Sequence, residues 1–515
     1  MAEPFARVAI AGNGYKVAGT PSLALGHKLE PARTPIPDGT FAEWSWDGSR
    51  LTVRNDRYGC YPLYYFTRPG EICVSTSIPE LLAQGAPSEL DERGMAVFLR
   101  LGFFIGEDTP FKAIRAVPPA ARFEWREGRL LVAGAYAKGK RQSLKRTEAV
   151  DAYISLFRTA IRRRLPPRED FAVPISGGRD SRHILLELCA AGYRPKLCAT
   201  IPPFPPVESE DVVVATALTR ALGLRHVVIR QPRSQLWAEL RKNFQTSFCS
   251  DEHAWVMAMV DYLRGRVTIV YDGLGGGMLS GDQSDVNVER ATLFDSGRFS
   301  DLARNLLGRK ETRLAKLLQP HQYRRFGHDL AVDHLVAELE KHADAPNPWR
   351  SFLFWNKTMR ENALAPYSMI THTAQVYTPY LDHDLYDFLT SLPATISLDV
   401  HTETIRQAHP RFAGIPFGQR RDSARTDRRH ARRFASELAW YACRQTPSPL
   451  VRTSTLLPGL LRGVLHGDYA RMRDAVHPLV PHLLQLGSLV SGVPGASSSG
   501  ARSRRSPLRI AGPDG

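Results

Sequence analysis
The sequence predicts an antiparallel β domain followed by an α/β domain with a parallel sheet and a helical extension. Three observations predict it. The 515 residues are about three times the usual length of one domain. Before residue 130, short β-type runs are broken by turns, which is the pattern of an antiparallel sheet. After residue 146, short apolar runs alternate with helix-length amphipathic segments, which is the pattern of a parallel sheet covered by helices.

Taken in order, FAEWSWDG (Phe41 to Gly48), RLTVRNDRYG (Arg50 to Gly59), PLYYF (Pro62 to Phe66) and EICVST (Glu71 to Thr76) read as strands. Residues 135–146, AYAKGKRQSLKR, lack apolar periodicity and carry five basic residues, so they read as a linker between domain 1–134 and domain 147–486. Val150, Tyr153, Leu156, Phe157 and Ile161 then recur at helical spacing. FAVPIS from Phe171 is a buried strand that delivers a glycine turn. The helix SRHILLELCAAG, the strand KLCATI, the helix VVVATALTRALG and the strand HVVIR follow. RVTIVYDGLGGG repeats the strand-into-glycine arrangement, and beyond about residue 290 the pattern turns helical. From Gly487 the Ser, Gly, Pro and Arg-rich segment 487–515 reads as a disordered tail.

Composition bounds the function classes. With 43% hydrophobic and 23% charged residues the chain is an ordinary globular protein, not a disordered one, despite a net charge of +16. No run of about 18 apolar residues and no signal-peptide pattern is present, so a cytoplasmic protein with no membrane association is expected. The six cysteines, Cys60, Cys73, Cys189, Cys198, Cys249 and Cys443, are scattered and read as buried thiols, not as disulfides or a zinc site.

The sharpest motif is PISGGRDSRHILLEL, Pro174 to Leu188. Two glycines let the backbone approach an oxyanion, the following helix turns its amides toward it, and serine hydroxyls add donors. Ser176, Gly177, Gly178, Asp180 and Ser181 thus read as a phosphate cradle. An aspartate in an anion site needs a cation between, so Asp180 reads as a ligand for Mg²⁺ carried by a nucleotide. The lysine and spacing of a Walker A loop are absent.

At these residues the sequence resembles the SGGxDS loop of the asparagine synthetase family. NDRYGCYPLYY (Asn55 to Tyr65) resembles that family's RDxxGxKPLYY, and DGTFAEWSWDG its DGxFAFxxxD. ESEDVVVATALTRALGLRHVVI is similar to the segment ending in LGxxH, DGLGGGMLSG (Asp272 to Gly281) to SGxGxDELFG, and YTPYLDHDLYDFLTSLP (Tyr377 to Pro393) to RxPFLDxxxxxFxxxLP. The resemblance implies a glutaminase-type (Ntn) antiparallel sandwich and an ATP-pyrophosphatase-type parallel sheet. The activity it implies is adenylation of a small-molecule or peptide carboxylate followed by attack of an amine. It places the pyrophosphate end of ATP on Ser176 to Ser181, the nucleoside near Asp272 and Gly273, and adenine near Thr200 and Ile201.

Departures from the family pattern narrow this. Ala2 stands where glutamine hydrolysis needs a cysteine nucleophile, so the glutaminase half reads as inactive. The family's second acidic magnesium ligand corresponds to Gly277, and Gln375 stands where the family carries a glutamate. Gln375 cannot serve as a base. Arg420 or Arg421 could supply the positive charge of a missing lysine. The amine would come from ammonia or from the acceptor itself, as in relatives that close β-lactam or lasso-peptide rings; a non-catalytic nucleotide-binding scaffold is the alternative. The arginines between Arg420 and Arg433 lack interleaved aromatics and read as a flap or solvated helix face ahead of a nucleic-acid patch. His183 reads as a partly buried histidine, Glu208, Glu210 and Asp211 as an exposed helix start, and Asp251, Glu252 and His253 as candidates for the acceptor pocket. Asp382 reads as structural.

Overall fold
The computed structural model describes residues 3–29, 36–202, 209–280, 288–308, 310–397, 399–418, 427–445, 447–469 and 474–492. Ten strands build the amino-terminal domain: β1 Phe5–Ala11, β2 Gly14–Gly19, β3 Ser22–Leu29, β4 Asp38–Trp46, β5 Arg50–Asn55, β6 Tyr64–Arg68, β7 Glu71–Ser75, β8 Arg115–Ala116, β9 Arg122–Arg126 and β10 Arg129–Ala133. They form two antiparallel sheets, ordered β2-β1-β7-β6-β8 and β10-β9-β5-β4-β3. Alternation explains the sandwich: Val8, Ile72 and Val74 of one sheet and Trp44, Leu51, Val53, Phe123 and Trp125 of the other are buried in the same core cluster. The helices α1 (Ile78–Ala83) and α2 (Glu92–Leu101) are capped by Ser77 and Asp91. Their buried faces join a second core cluster with the carboxy-terminal helices.

The second domain holds five parallel strands, β11 Phe171–Pro174, β12 Leu197–Thr200, β13 His226–Val228, β14 Ile269–Tyr271 and β15 Gln375–Tyr377, ordered β13-β12-β11-β14-β15. The chain winds outward from β11 through α4 (Asp180–Ala190) to β12 and through α5 (Glu210–Ala221) to β13, then crosses back to β14. The strand order therefore reverses between β11 and β14, and a crevice opens at their carboxyl ends. α3 (Arg146–Arg163) packs on α4 and on the helix Val400–Ala408, with Tyr153, Phe157 and Ile161 fully buried, as its apolar spacing requires.

The two-domain architecture matches the sequence expectation, with differences in detail. Residues 135–145 carry no regular structure, but they are packed: Tyr136 stacks on His342 and Trp355. The last helix, Leu479–Gly492, runs six residues into the expected tail, and residues 493–515 lie outside the described residues. Cys60, Cys73, Cys198 and Cys249 are buried, whereas Cys189 is half-buried and Cys443 is exposed on the solvent side of an amphipathic helix. Among the described residues no helix is long and apolar enough to cross a membrane.

Several quoted motifs turn out to form the contact between the domains. Arg164 is buried with its guanidinium 2.7 Å from Asp38 and 2.8 Å from Asp382, and Arg163 reaches Asp382 at 3.0 Å and Asp384 at 2.9 Å. Burial alone would raise the Asp382 carboxyl, but Arg164 and Arg163 hold it below the usual carboxylate range. Arg57 pairs with Asp387, and Tyr58 packs edge-on against Tyr386 and His383. Thus DGTF, NDRYG and PYLDHDL meet across one interface.

Candidate active site
The loop after β11 and the turn after β14 face each other across the switch-point crevice. Ser176 N–H donates to Ser181 Oγ (3.2 Å) and Gly178 N–H donates to Ser176 Oγ (3.2 Å), which folds the loop back on the start of α4. Gly177 N–H donates to Asp211 Oδ1 at 2.8 Å, and its carbonyl accepts from Gly418 N–H at 2.9 Å. A Cβ on Gly177 would lie 2.7 Å from Asp211 Oδ1 and 3.1 Å from Gly418 Cα, so only glycine admits both neighbours. Asp211 is therefore no exposed helix-start acid: it is half-buried and its carboxylate oxygen accepts from a loop amide. Glu208 lies outside the described residues.

Asp180 opens α4 and turns toward the second glycine run. Its Oδ2 accepts from Gly277 N–H at 3.0 Å, and Oδ1 lies 3.5 Å from His401 Nδ1. Cβ atoms on Gly273 and Gly276 would come within 2.7 Å and 2.5 Å of Asp180, so DGLGGG is glycine-rich because its turn presses directly on that side chain. Burial pushes the Asp272 carboxyl up to about 6, even though it accepts from Leu274 N–H at 2.8 Å. Gly273 thus ties the two runs together, while Asp272 sits where β14 ends, its own N–H donating to Tyr377 O.

Behind the cradle lies a buried aromatic and imidazole layer. Tyr380 OH donates to Asp180 O (3.2 Å) and lies 3.0 Å from His401 Nε2, which is 3.3 Å from His183 Nδ1. His183 is fully buried, not partly so, and Phe157 stacks on it at 3.9 Å. Burial holds the His401 imidazole down to about 3, with Arg179 adding to the effect. On the outer side Arg182 donates to the carbonyls of Ile415 (2.8 Å) and Pro416 (2.6 Å) and lies over Phe417. Arg179 bonds Thr402 at 2.6 Å. Two guanidinium groups beside the loop favour an anion there, and burial together with Arg179 lowers Arg182 to about 10.

The remaining expected residues fall at different distances from this centre. Thr200 Oγ1 donates to Ile175 O at 2.6 Å, so its hydroxyl fixes the strand end that launches the loop, and Ile201 follows half-buried. Gln375 begins β15 in register with Ile269, two residues before the strand end at Tyr377; among the described residues no hydrogen bond joins its side chain to the loop. Arg420 and Arg421 lie outside the described residues, but Gly418, shortly before them, rests on Gly177. Asp251, Glu252 and Glu361 gather their carboxylates within 4.8 Å of one another beside Gly102 of the first domain, and burial pushes Asp251 up to about 7. That cluster is linked to the amino-terminal domain, not to the cradle. A cavity of about 420 Å³ between Tyr58, Asp108, Tyr136, Glu338, Trp355 and Arg360 also lies at the domain contact.

The residues that sequence reasoning missed are His401, Tyr380 and Gly418. Tyr380 left a trace, a hydroxyl where the similar motif has phenylalanine. His401 left none, because only the folding of Val400–Ala408 over α3 brings it to Asp180.

Comparison with known proteins agrees with this arrangement. Residues 33–136 match the glutamine amidotransferase domain and residues 152–405 match asparagine synthase. No curated protein matches the chain. Among solved structures, glutamine phosphoribosylpyrophosphate amidotransferase from B. subtilis, complexed with ADP and GMP, is similar with 9% identity and a TM-score of 0.15. The match covers 52% of this chain and 57% of that one, and a likeness of that degree says nothing of what this chain binds.

Proposed function
The chain belongs to the asparagine synthetase family, a family of ATP-dependent amide ligases, and on that premise we propose that it activates a carboxylate with ATP and joins it to an amine without hydrolysing glutamine. In this reaction a carboxylate oxygen attacks the α-phosphorus and pyrophosphate leaves. The amine nitrogen then attacks the acyl carbon, and AMP and a proton depart as the C–N bond forms.

The observation that carries the reading is the Gly177 amide, which holds a carboxylate oxygen at 2.8 Å at the carboxyl end of β11, in a loop followed by Arg179 and Arg182, whose guanidinium groups both lie over Phe417. A phosphate oxygen would take the place of the Asp211 carboxylate, and the amides and serine hydroxyls of Ser176 to Ser181 would orient the pyrophosphate. Mg²⁺ arriving with ATP would be held by Asp180, with Asp272 across the crevice, and would neutralise phosphate charge. Thr200 and Ile201 border the adenine side. Gln375 donates or accepts hydrogen bonds but takes no proton, so the amine must arrive neutral or lose its proton to another group. Ammonia or an amino group on the acceptor meets that need. Cys60 and Cys73 support the loss of glutaminase chemistry: burial pushes the Cys60 thiol well up and the Cys73 thiol to about 12, so neither offers a thiolate.

Calorimetric titration of ATP with and without Mg²⁺, followed by a pyrophosphate-release screen over carboxylic acids, tests the proposal. Magnesium-dependent binding that Asp180→Asn abolishes, with release prompted by a particular acid, is expected. Binding without release under any acid would favour the scaffold reading, which Gly277 in place of an acidic residue also favours. Release of glutamate from glutamine would overturn the glutaminase part.

A further inference from the structure
Outside the cradle, the described residues gather two sets of metal-type ligands, of which that of His183, Glu187 and His409 is buried throughout, whereas the Asp251, Glu252 and Glu361 set has an exposed member. His183 and Glu187 stand one turn apart on α4 and so share a face, and His409 follows the helix Val400–Ala408. Their donor atoms all lie within 4.8 Å of one another. His183 is 0% exposed, Glu187 4% and His409 9%. His409 Nε2 lies 2.9 Å from Glu187 Oε1, and Arg158 Nε approaches the two Glu187 oxygens at 3.2 and 3.3 Å.

One atom in this set is unsatisfied. His183 Nδ1 faces His401, but His183 Nε2 is buried without a hydrogen-bond partner. Whichever tautomer His183 adopts, Nε2 is either a lone pair with no donor or an N–H with no acceptor, and each is costly in a buried setting. Phe157 stacked at 3.9 Å keeps the ring from turning away. A divalent cation removes the penalty for the lone-pair tautomer, and it is a partner that two neutral imidazoles and a carboxylate can share.

We propose that His183, Glu187 and His409 form a buried site for a divalent first-row transition cation, with Zn²⁺ the best match to two imidazoles and one carboxylate. Ligand bonds of about 2.0–2.2 Å put the donors of a tetrahedral ion about 3.4 Å apart, so the widest pair, now within 4.8 Å, closes by at most about 1.4 Å, while His409 Nε2 and Glu187 Oε1, now 2.9 Å apart, open by about 0.5 Å. Arg158 and His401 stand as outer partners, one on the carboxylate and one on Nδ1 of the first imidazole, which is the support that metal-binding side chains require. A cavity of about 10 Å³ bordered by Arg182, Leu186, His409 and Phe417 adjoins the site. The ion would clamp α4, which begins at the phosphate loop, to the segment that leads into Ile415–Gly418. It is distinct from the cation that arrives with a nucleotide, and it does not rest on the ligase reading.

The test uses the untagged full chain, stripped with a chelator and titrated with Co²⁺, a spectroscopic probe for such sites. Expected are about one equivalent bound with visible d–d bands of a tetrahedral site, displacement by Zn²⁺, and a higher melting temperature with metal than without. Glu187→Gln and His409→Gln should each lose the bands while circular dichroism shows them folded, and Asp180→Asn should keep them. A folded wild-type chain that binds no Co²⁺ would overturn the proposal. So would bands that persist unchanged in the Glu187→Gln, His409→Gln double variant, since the metal would then sit elsewhere.

Discussion
Asp211 shows how a single side chain changes meaning once it is placed. In the sequence it is one acid of a helix start; in the fold its carboxylate accepts from the amide of Gly177, the group that the proposed nucleotide phosphate would need. Asp211→Asn removes the charge and keeps the shape, and ATP should bind roughly tenfold more tightly, since a charged hydrogen bond of about 1.5–3 kcal/mol no longer has to be exchanged. Weaker binding, measured in the same calorimeter, would mean that Asp211 serves the nucleotide itself. His27 makes a prediction of a different kind. Both of its ring nitrogens are buried without partners, it packs edge-on to Tyr377 at 4.7 Å, and burial with help from Arg164 lowers it to about 4. The unfolded chain protonates this residue near its ordinary value of 6.5 and the folded chain does not, so the unfolded state binds more protons between about pH 6.5 and 4. Stability is therefore lost as pH falls through that window. His27→Phe should gain on the wild type over the same window, by at most about 3 kcal/mol, in urea denaturation series run at each pH.

Between elements, contacts at the crevice are set by absent side chains. β14 ends in a turn that lies against the first residue of α4, and Gly276 has no space for a methyl group: its Cβ would meet Asp180 Cγ at 2.5 Å. Gly277, next along the same short helix, would place its Cβ 3.6 Å from Asp180, an ordinary contact. Gly276→Ala should thus cost about 1–3 kcal/mol and distort the loop, while Gly277→Ala should be near neutral. Thermal melts of the two variants check this, and equal losses would mean that the turn is looser than it looks. The repeated strand-into-glycine pattern was legible because glycine is what a close backbone approach demands. Its partner was not, since nothing in the spelling of DGLGGG points to residue 180.

For the molecule as a whole, the joint between the domains rests on Arg164. Its guanidinium is 2% exposed and shared by Asp38 of the first domain and Asp382 of the second. Removing it leaves two buried carboxylates to share Arg163, which lies 3.0 Å from Asp382 and 3.7 Å from Asp38, so Arg164→Met should destabilise the chain by about 3 kcal/mol, more than a surface pair could. If denaturation stays cooperative and the loss is under about 1 kcal/mol, the two acids have been neutralised by protonation or solvated by water, and the joint is held by its aromatic packing instead. The same network explains the acids of DGTF and PYLDHDL, while Tyr380 of the second motif reaches Asp180 of the loop.

The sequence by itself determined the two architectures, their order, and the glycine loop that follows β11. Strand and helix periodicity, glycine turns and the SGGRDS spacing are local, and local patterns survive in a linear string. It also identified Asp382 as structural, while mistaking Asp211 for a solvated acid. Only the tertiary structure decided which groups face each other: His401 beside Asp180, Asp211 on Gly177, and His183 with Glu187 and His409. Apart from His183 and Glu187 on one helix, those meetings join residues from 34 to more than 200 positions apart. They depend on how α3, α4 and the helix Val400–Ala408 pack together, and packing of that kind is fixed by the whole core at once.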